Sequence, residues 1–218
     1  MQQLKNVLEL MKIGEKLKME MRHSWLSNGR RESVAEHTWS TSLLAMAIAP
    51  YLPHKVNVEK LLKMVIIHDL VEAYARDIPA FYTMDDEAAR ALKLENETKA
   101  IEQIRDLLGD ENGQQFYEVW FEFENKQTYE AKVANALDKL EAQIQQNWAD
   151  LDTWTPIEHK MVFMLGQYTN FDPVLEQLKD LVEAEGERKL QQANIDTEPL
   201  KKSVANDEKE KKKKKMVF

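Results

Sequence analysis

Cysteine is missing from this chain, which excludes disulfides, thiolate metal ligands and a cysteine nucleophile at once. Any metal must therefore sit on His, Asp, Glu and water, a donor set suited to a hard or borderline divalent ion. Glycine and proline are scarce, six of each in 218 residues, and strand-type Val/Ile/Thr alternation is rare. Few breakers and little strand pattern favour an all-α fold, a single-domain helical bundle. No run approaches 18 consecutive apolar residues, so no membrane-spanning helix is expected. The first 22 residues mix charged and apolar side chains too closely for a signal peptide. The expected location is the cytoplasm.

Hydrophobic residues make up 43% of the chain and charged residues 31%, as in a soluble globular protein with one sizeable core. Charge is unevenly spread. Residues 201–218 carry eight lysines and three acids, so residues 1–200 hold 22 basic and 35 acidic groups, a net −13. A body that acidic is a poor match for the backbone of a long nucleic acid. A small phosphate ester remains compatible if a metal and a local arginine supply positive charge.

Apolar spacing predicts a helix over roughly the first twenty residues, then a loop at Ser24–Arg31. Ser33 with Glu36 resembles a capping box, opening a helix through His37, Trp39, Leu43, Leu44 and Ile48 to Pro50. Asn57 is a plausible N-cap for a helix continuing from Val58 to Ala75, which would put His68 and Glu72 on one face. Asp77-Ile78-Pro79 ends it, because the residue before proline is disfavoured in helix. Further helices are expected at 86–108, closed by Gly109, and at about 114–124, 128–148, 156–168 and 173–190. Apolar content collapses from about residue 193, so residues 1–192 read as the folded domain and 193–218 as a disordered, lysine-rich tail.

Four residues stand out as a candidate metal shell: His37, His68, Asp69 and Asp138. His68-Asp69 closes the apolar run 61–67, and Asp138 sits among Ala134, Leu137 and Leu140 at helical spacing. Burying such groups is costly unless each finds a partner, and a divalent cation serves all four. Two imidazoles and two carboxylates form a mixed N/O site with room for water.

The ordered set Glu32-Ser33-Val34-Ala35-Glu36-His37, His68-Asp69-x-x-Glu72, Asp77-Ile78-Pro79 and Asp138 resembles the H…HD…D signature of the HD-domain metal-dependent phosphohydrolases. Within them it is most similar to the HD-family 5′-deoxynucleotidases, over about residues 15–145. The resemblance implies an HD-type helical bundle with one divalent ion (Co, Mn, Zn, Fe or Mg) on His37, His68, Asp69 and Asp138, between the central helices. It implies that Glu72 handles the proton of the attacking water or of the leaving oxygen, and that Asp77 contacts substrate or orients water. It implies an arginine and a tryptophan ahead of the first histidine, matched by Arg22 and Trp25, for phosphate and for sugar or base. Arg30 and Arg31 are further phosphate candidates. The implied substrate is a small nucleotide, a (deoxy)nucleoside 5′-monophosphate. The alternative is a deoxynucleoside triphosphate cut at the α-phosphorus on the same scaffold. A silent binding module would have lost a ligand or Glu72, and all are present. A homodimer is open on the same resemblance, with no interface legible in the sequence.

Overall fold

The computed structural model describes residues 1–216, without the side chains of residues 211, 212 and 214–216. The chain folds as helices with one small hairpin. In order these are α1 (Gln2–Lys16), β1 (Met21–Trp25), β2 (Arg31–Ser33), α2 (Val34–Ile48), α3 (Val58–Ile67), α4 (Glu72–Ala75), α5 (Glu87–Leu108), α6 (Asp110–Asn125), α7 (Tyr129–Trp148), α8 (Pro156–Met161), α9 (Gly166–Thr169), α10 (Pro173–Gln192) and α11 (Glu198–Met216). Among the described residues no helix is long and apolar enough to cross a membrane.

Local sequence sets most helix starts. Ser33 caps α2 with Glu36 in the reciprocal box expected, and Asn57, Asp86 and Thr128 accept from the first turns of α3, α5 and α7. Each cap satisfies backbone N–H groups that the helix itself leaves open. Gly109 closes α5 at φ 63°, a left-handed conformation natural to a residue without Cβ.

Three expectations about the elements fail. The loop at Ser24–Arg31 is the turn and flanks of the antiparallel β1–β2 hairpin, with an irregular register between Met21 and Trp25. The helix expected over 58–75 breaks after Ile67. There Leu70, Glu72, Ala73 and Tyr74 donate to carbonyls only three residues back, the tighter winding of a 3₁₀ turn. Consecutive residues in an α-helix diverge by about 100°; the break is what lets His68 and its neighbour Asp69 turn toward one point. The stretch expected as one helix over 156–168 is likewise divided, into α8, a 3₁₀ turn and α9.

The core has two principal parts. One joins Leu61, Met64 and Val65 of α3 to Val133, Leu137 and Leu140 of α7, with Leu175 and Val182 of α10. The other packs Ile101 and Ile104 of α5 and Trp120 of α6 against Ile67, Val71 and Val34. A third, smaller cluster holds Trp154, Val162, Phe163 and Leu190 together with Val204 of α11. So the segment expected as a disordered tail forms a helix through Met216, and its first turns are docked; residues 217 and 218 lie outside the described residues. Trp39, Leu43 and Met46 stay exposed on α2, while Thr41 and Ala45 face inward.

Candidate metal centre and its cavity

Three helical segments meet where the polar core lies. His37, buried on α2, places Nε2 3.0 Å from Asp138 Oδ1 of α7 and 3.7 Å from Asp69 Oδ2. His68, at the end of α3, places Nε2 3.2 Å from Asp69 Oδ1 and 3.7 Å from Asp138 Oδ1. The structure thus brings together all four residues singled out as ligands.

The imidazoles are held from behind. His68 Nδ1 lies 2.7 Å from the Val65 carbonyl oxygen. A carbonyl only accepts, so Nδ1 carries a hydrogen and Nε2 is the nitrogen turned to the carboxylates, open to a metal when the ring is neutral. The His68 carbonyl in turn accepts from Trp120 Nε1 at 3.2 Å, and Phe123 packs on the ring. His37 Nδ1 pairs with Glu141 Oε2, an arrangement that fixes a ring so that its other nitrogen can bind a metal. Glu141 was not among the sequence candidates. Its signal was present: an acid three residues beyond Asp138, on the same buried face of α7.

This donor set fits a divalent ion. His68 Nε2 is buried and has no hydrogen-bond partner among the described residues, although it faces two carboxylates. Between two carboxylates that nitrogen calls for positive charge, carried either by a proton on the ring or by a metal cation in its place.

Charge is graded across the site. Burial works against ionisation of Asp138, yet Lys139, with Nζ 2.8 Å from Oδ2, and the two imidazoles hold that carboxyl well below its usual range. Burial likewise opposes a charged His68, but Asp69 and Asp138 outweigh it and raise the ring well above its ordinary value. Glu72 goes the other way from Asp138. Burial, then the negative charge of Asp69 and Asp77, pushes its carboxyl well above the ordinary range. Its Oε2 is buried and unpartnered. Neighbouring carboxyls driven apart in this way suit different tasks in one reaction.

Around these residues lies a cavity of about 510 Å³, whose wall includes Arg22, Asp69, Glu72, Asp77 and Asp138. Arg22 Nη1 is 3.5 Å from Asp69 Oδ2, and its Nε is 3.6 Å from Oε2 of buried Glu32. Trp25 requires a correction. Arg22, His23 and Ser24 line the cavity, but Trp25 does not. The irregular register of β1 carries those three residues to the wall and turns the next one away. Trp25 accepts through its carbonyl from Gln145 Nε2 at 2.8 Å, and its indole N–H is buried without a partner. Arg30 and Arg31 are also elsewhere, the first paired with Glu36 and the second with the Arg22 carbonyl.

The model of the HD domain family matches residues 14–179, most of the chain. The chain belongs to the HD domain family. That membership and the donor set together imply a bound divalent metal. Curated relatives of this HD domain include 5′-deoxynucleotidase HDDC2 of Danio rerio, 34% identical over 143 residues, covering 64% of this chain and 68% of that one. The Dictyostelium discoideum protein of the same name is 30% identical over 149 residues, covering 65% and 76%. Among solved structures, a predicted metal-dependent phosphohydrolase from Magnetospirillum magnetotacticum MS-1 aligns with a TM-score of 0.74 at 26% identity. That alignment covers 89% of this HD domain chain and 99% of the other.

Proposed function

We propose that this HD domain hydrolyses deoxynucleoside 5′-monophosphates to deoxynucleoside and inorganic phosphate. His37, His68, Asp69 and Asp138 would hold one divalent ion, drawn from Co, Mn, Zn, Fe and Mg. The observation that carries the reading is His68 Nε2, buried between two carboxylate oxygens at 3.2 and 3.7 Å, with Glu72, buried and unpartnered at Oε2, in the same cavity. The relatives named 5′-deoxynucleotidase support the substrate class.

A bound divalent ion supplies an acidified water and neutralises phosphoryl oxygens. The chain's own residues do the rest. Arg22, anchored by Glu32 and Asp69, presents a guanidinium to the phosphate, a group matched to paired oxygens. Glu72 takes a proton from the attacking water and returns one to the departing 5′-oxygen. A carboxyl pushed above its usual range by burial and neighbouring acids is the stronger base for the first step. Water oxygen bonds to phosphorus, the P–O5′ bond breaks, and the 5′-hydroxyl leaves neutral. Asp77, on the same wall as Glu72, orients the water.

A triphosphate is the weaker fit. It needs additional cations for its outer phosphates, and those of the cavity wall beyond Arg22 are engaged: Lys93 with Glu97, Lys126 with Glu124, Lys139 with Asp138, and Arg90 with the carbonyls of Thr83 and Met84. The test is product release from a panel of deoxy- and ribonucleotides under each metal, with Glu72→Ala as control. Phosphate from monophosphates is expected. Turnover in the variant should fall by about two to four orders of magnitude with metal content kept. Tripolyphosphate release would replace this reading with the triphosphohydrolase.

A further inference from the structure

The cavity reaches well beyond the space a phosphate fills, and one helix measures its length. Asp138, Ala142 and Gln146 of α7 all line it, at the four-residue spacing that keeps side chains on one face. At about 1.5 Å per residue, Gln146 lies roughly 12 Å along the axis from Asp138. Phosphorus placed near Asp138 leaves the sugar and base to occupy the next two turns.

The two halves of the cavity differ in chemistry. Toward the start of α7 the wall carries the ion pairs Lys93–Glu97 and Lys126–Glu124. Toward its end the wall sets apolar Ile78, Phe81, Ala142 and Met161 beside polar His23, Gln146 and Glu158. His23 joins this half together: its ring meets Phe81 edge-on at 5.2 Å, and its Nε2 is 3.5 Å from Glu158 of α8. Gln146 is tied to the fold through its backbone carbonyl, which accepts from Trp154 Nε1 at 3.1 Å. Its side-chain amide has no hydrogen-bond partner among the described residues and faces the cavity. Arg22, the residue assigned to phosphate, lies on β1 beside His23, so this half adjoins the reaction centre.

We propose that this half is a nucleoside subsite, in which Gln146 hydrogen-bonds the edge of the base and Ala142 keeps the floor open beneath the sugar. The proposal rests on the nucleotidase reading above and extends it to residues of the chain's last third. An amide offers one acceptor and two donors, so Gln146 can meet the edge of any of the four bases. The subsite therefore adds affinity for a nucleoside without demanding one base. It also gives α8 a part in the site, through Glu158 and Met161.

Two variants test this, Gln146→Leu and Ala142→Phe. The first removes the hydrogen bonds; the second fills the floor. Two readouts are compared: kcat/KM on deoxynucleoside monophosphates divided by that on deoxyribose 5-phosphate, and calorimetric binding of deoxyadenosine. Gln146→Leu should lower the ratio about five- to tenfold for all four bases and weaken nucleoside binding by a similar factor. Ala142→Phe should abolish nucleoside binding. If Ala142→Phe does not fold, Gln146→Leu decides alone. An unchanged ratio with unchanged nucleoside binding overturns the subsite. Failure of the wild-type protein to release phosphate from any monophosphate overturns the nucleotidase reading instead, while deoxyadenosine binding still judges the subsite.

Discussion

Glu141 stands three residues beyond Asp138, so α7 supplies both a ligand-type carboxylate and the carboxylate behind His37. Glu141→Gln keeps the volume and an acceptor but removes the charge that makes the imidazole more basic. Metal affinity should drop on the order of tenfold, read by competition with a chelator of known strength; unchanged affinity would make the pair structural only. Glu32 offers a second residue-scale test. Burial, followed by repulsion from Glu141, raises its carboxyl from 4.5 to about 7 despite Arg22. Below the lower value it is neutral in both folded and unfolded chains and has no effect on pH dependence. Between the two values the folded chain holds a proton that the unfolded chain has lost, so stability falls as pH rises through this window. Glu32→Gln removes that slope. Metal-free variant and wild type should therefore differ more in the variant's favour at pH 8 than at pH 4, by on the order of 2 kcal/mol, in urea titrations at the two pH values. At this scale the gathering of His37, His68, Asp69 and Asp138 beside Glu72 was legible, because ionisable groups inside apolar runs stand out. Trp25 was misread because sequence distance from Arg22 says nothing of which way an irregular strand turns each side chain.

Helix boundaries were legible wherever a side chain closes a backbone group. Ser33 with Glu36, Asn57, Asp86 and Gly109 each mark an end by local chemistry alone. The break after Ile67 has no such mark. Its cause is tertiary: Val71 and Ile67 are drawn into the cluster of α5 and α6, while His68 and Asp69 turn to the centre. The same two helices supply the element-scale prediction. Gly113 of α6 lies against the backbone of α5, and a Cβ there would collide with the Arg105 carbonyl oxygen. Alanine favours helix by about 1 kcal/mol over glycine, so an isolated helix would gain from Gly113→Ala. Here the rigid neighbour decides the sign. The variant should lose roughly 1–3 kcal/mol through overpacking, measured by denaturant unfolding, and a gain would mean that α5 and α6 separate freely.

Composition alone misjudged where the molecule ends. The stretch after residue 193 is poor in apolar residues, but a helix needs few to dock when they share a face. Val204 is buried, Leu200 packs beside it on the cluster of Val162, Phe163 and Leu190, and Thr197 is buried just before the helix. Lys160 reaches Asp207 at 2.6 Å, and Lys201 reaches Glu187 at 2.6 Å; exposed pairs of this kind each contribute under about 1 kcal/mol. Burial of the two apolar side chains dominates, at roughly 1.5–3 kcal/mol each. A chain ending at residue 192 should then lose about 3–5 kcal/mol, lowering its Tm by roughly 6–20 °C for a domain of this size. A chain ending at residue 208 keeps Val204 and Asp207, loses most of the lysines, and should stay within about 0.5 kcal/mol of the full chain. Because α11 packs on α8, and α8 lends Glu158 and Met161 to the cavity, the shorter form should also lose affinity for nucleotide before it loses metal. Equal melting of all three chains would show that α11 rests on the body without stabilising it, and that residues 1–192 are the complete folding unit.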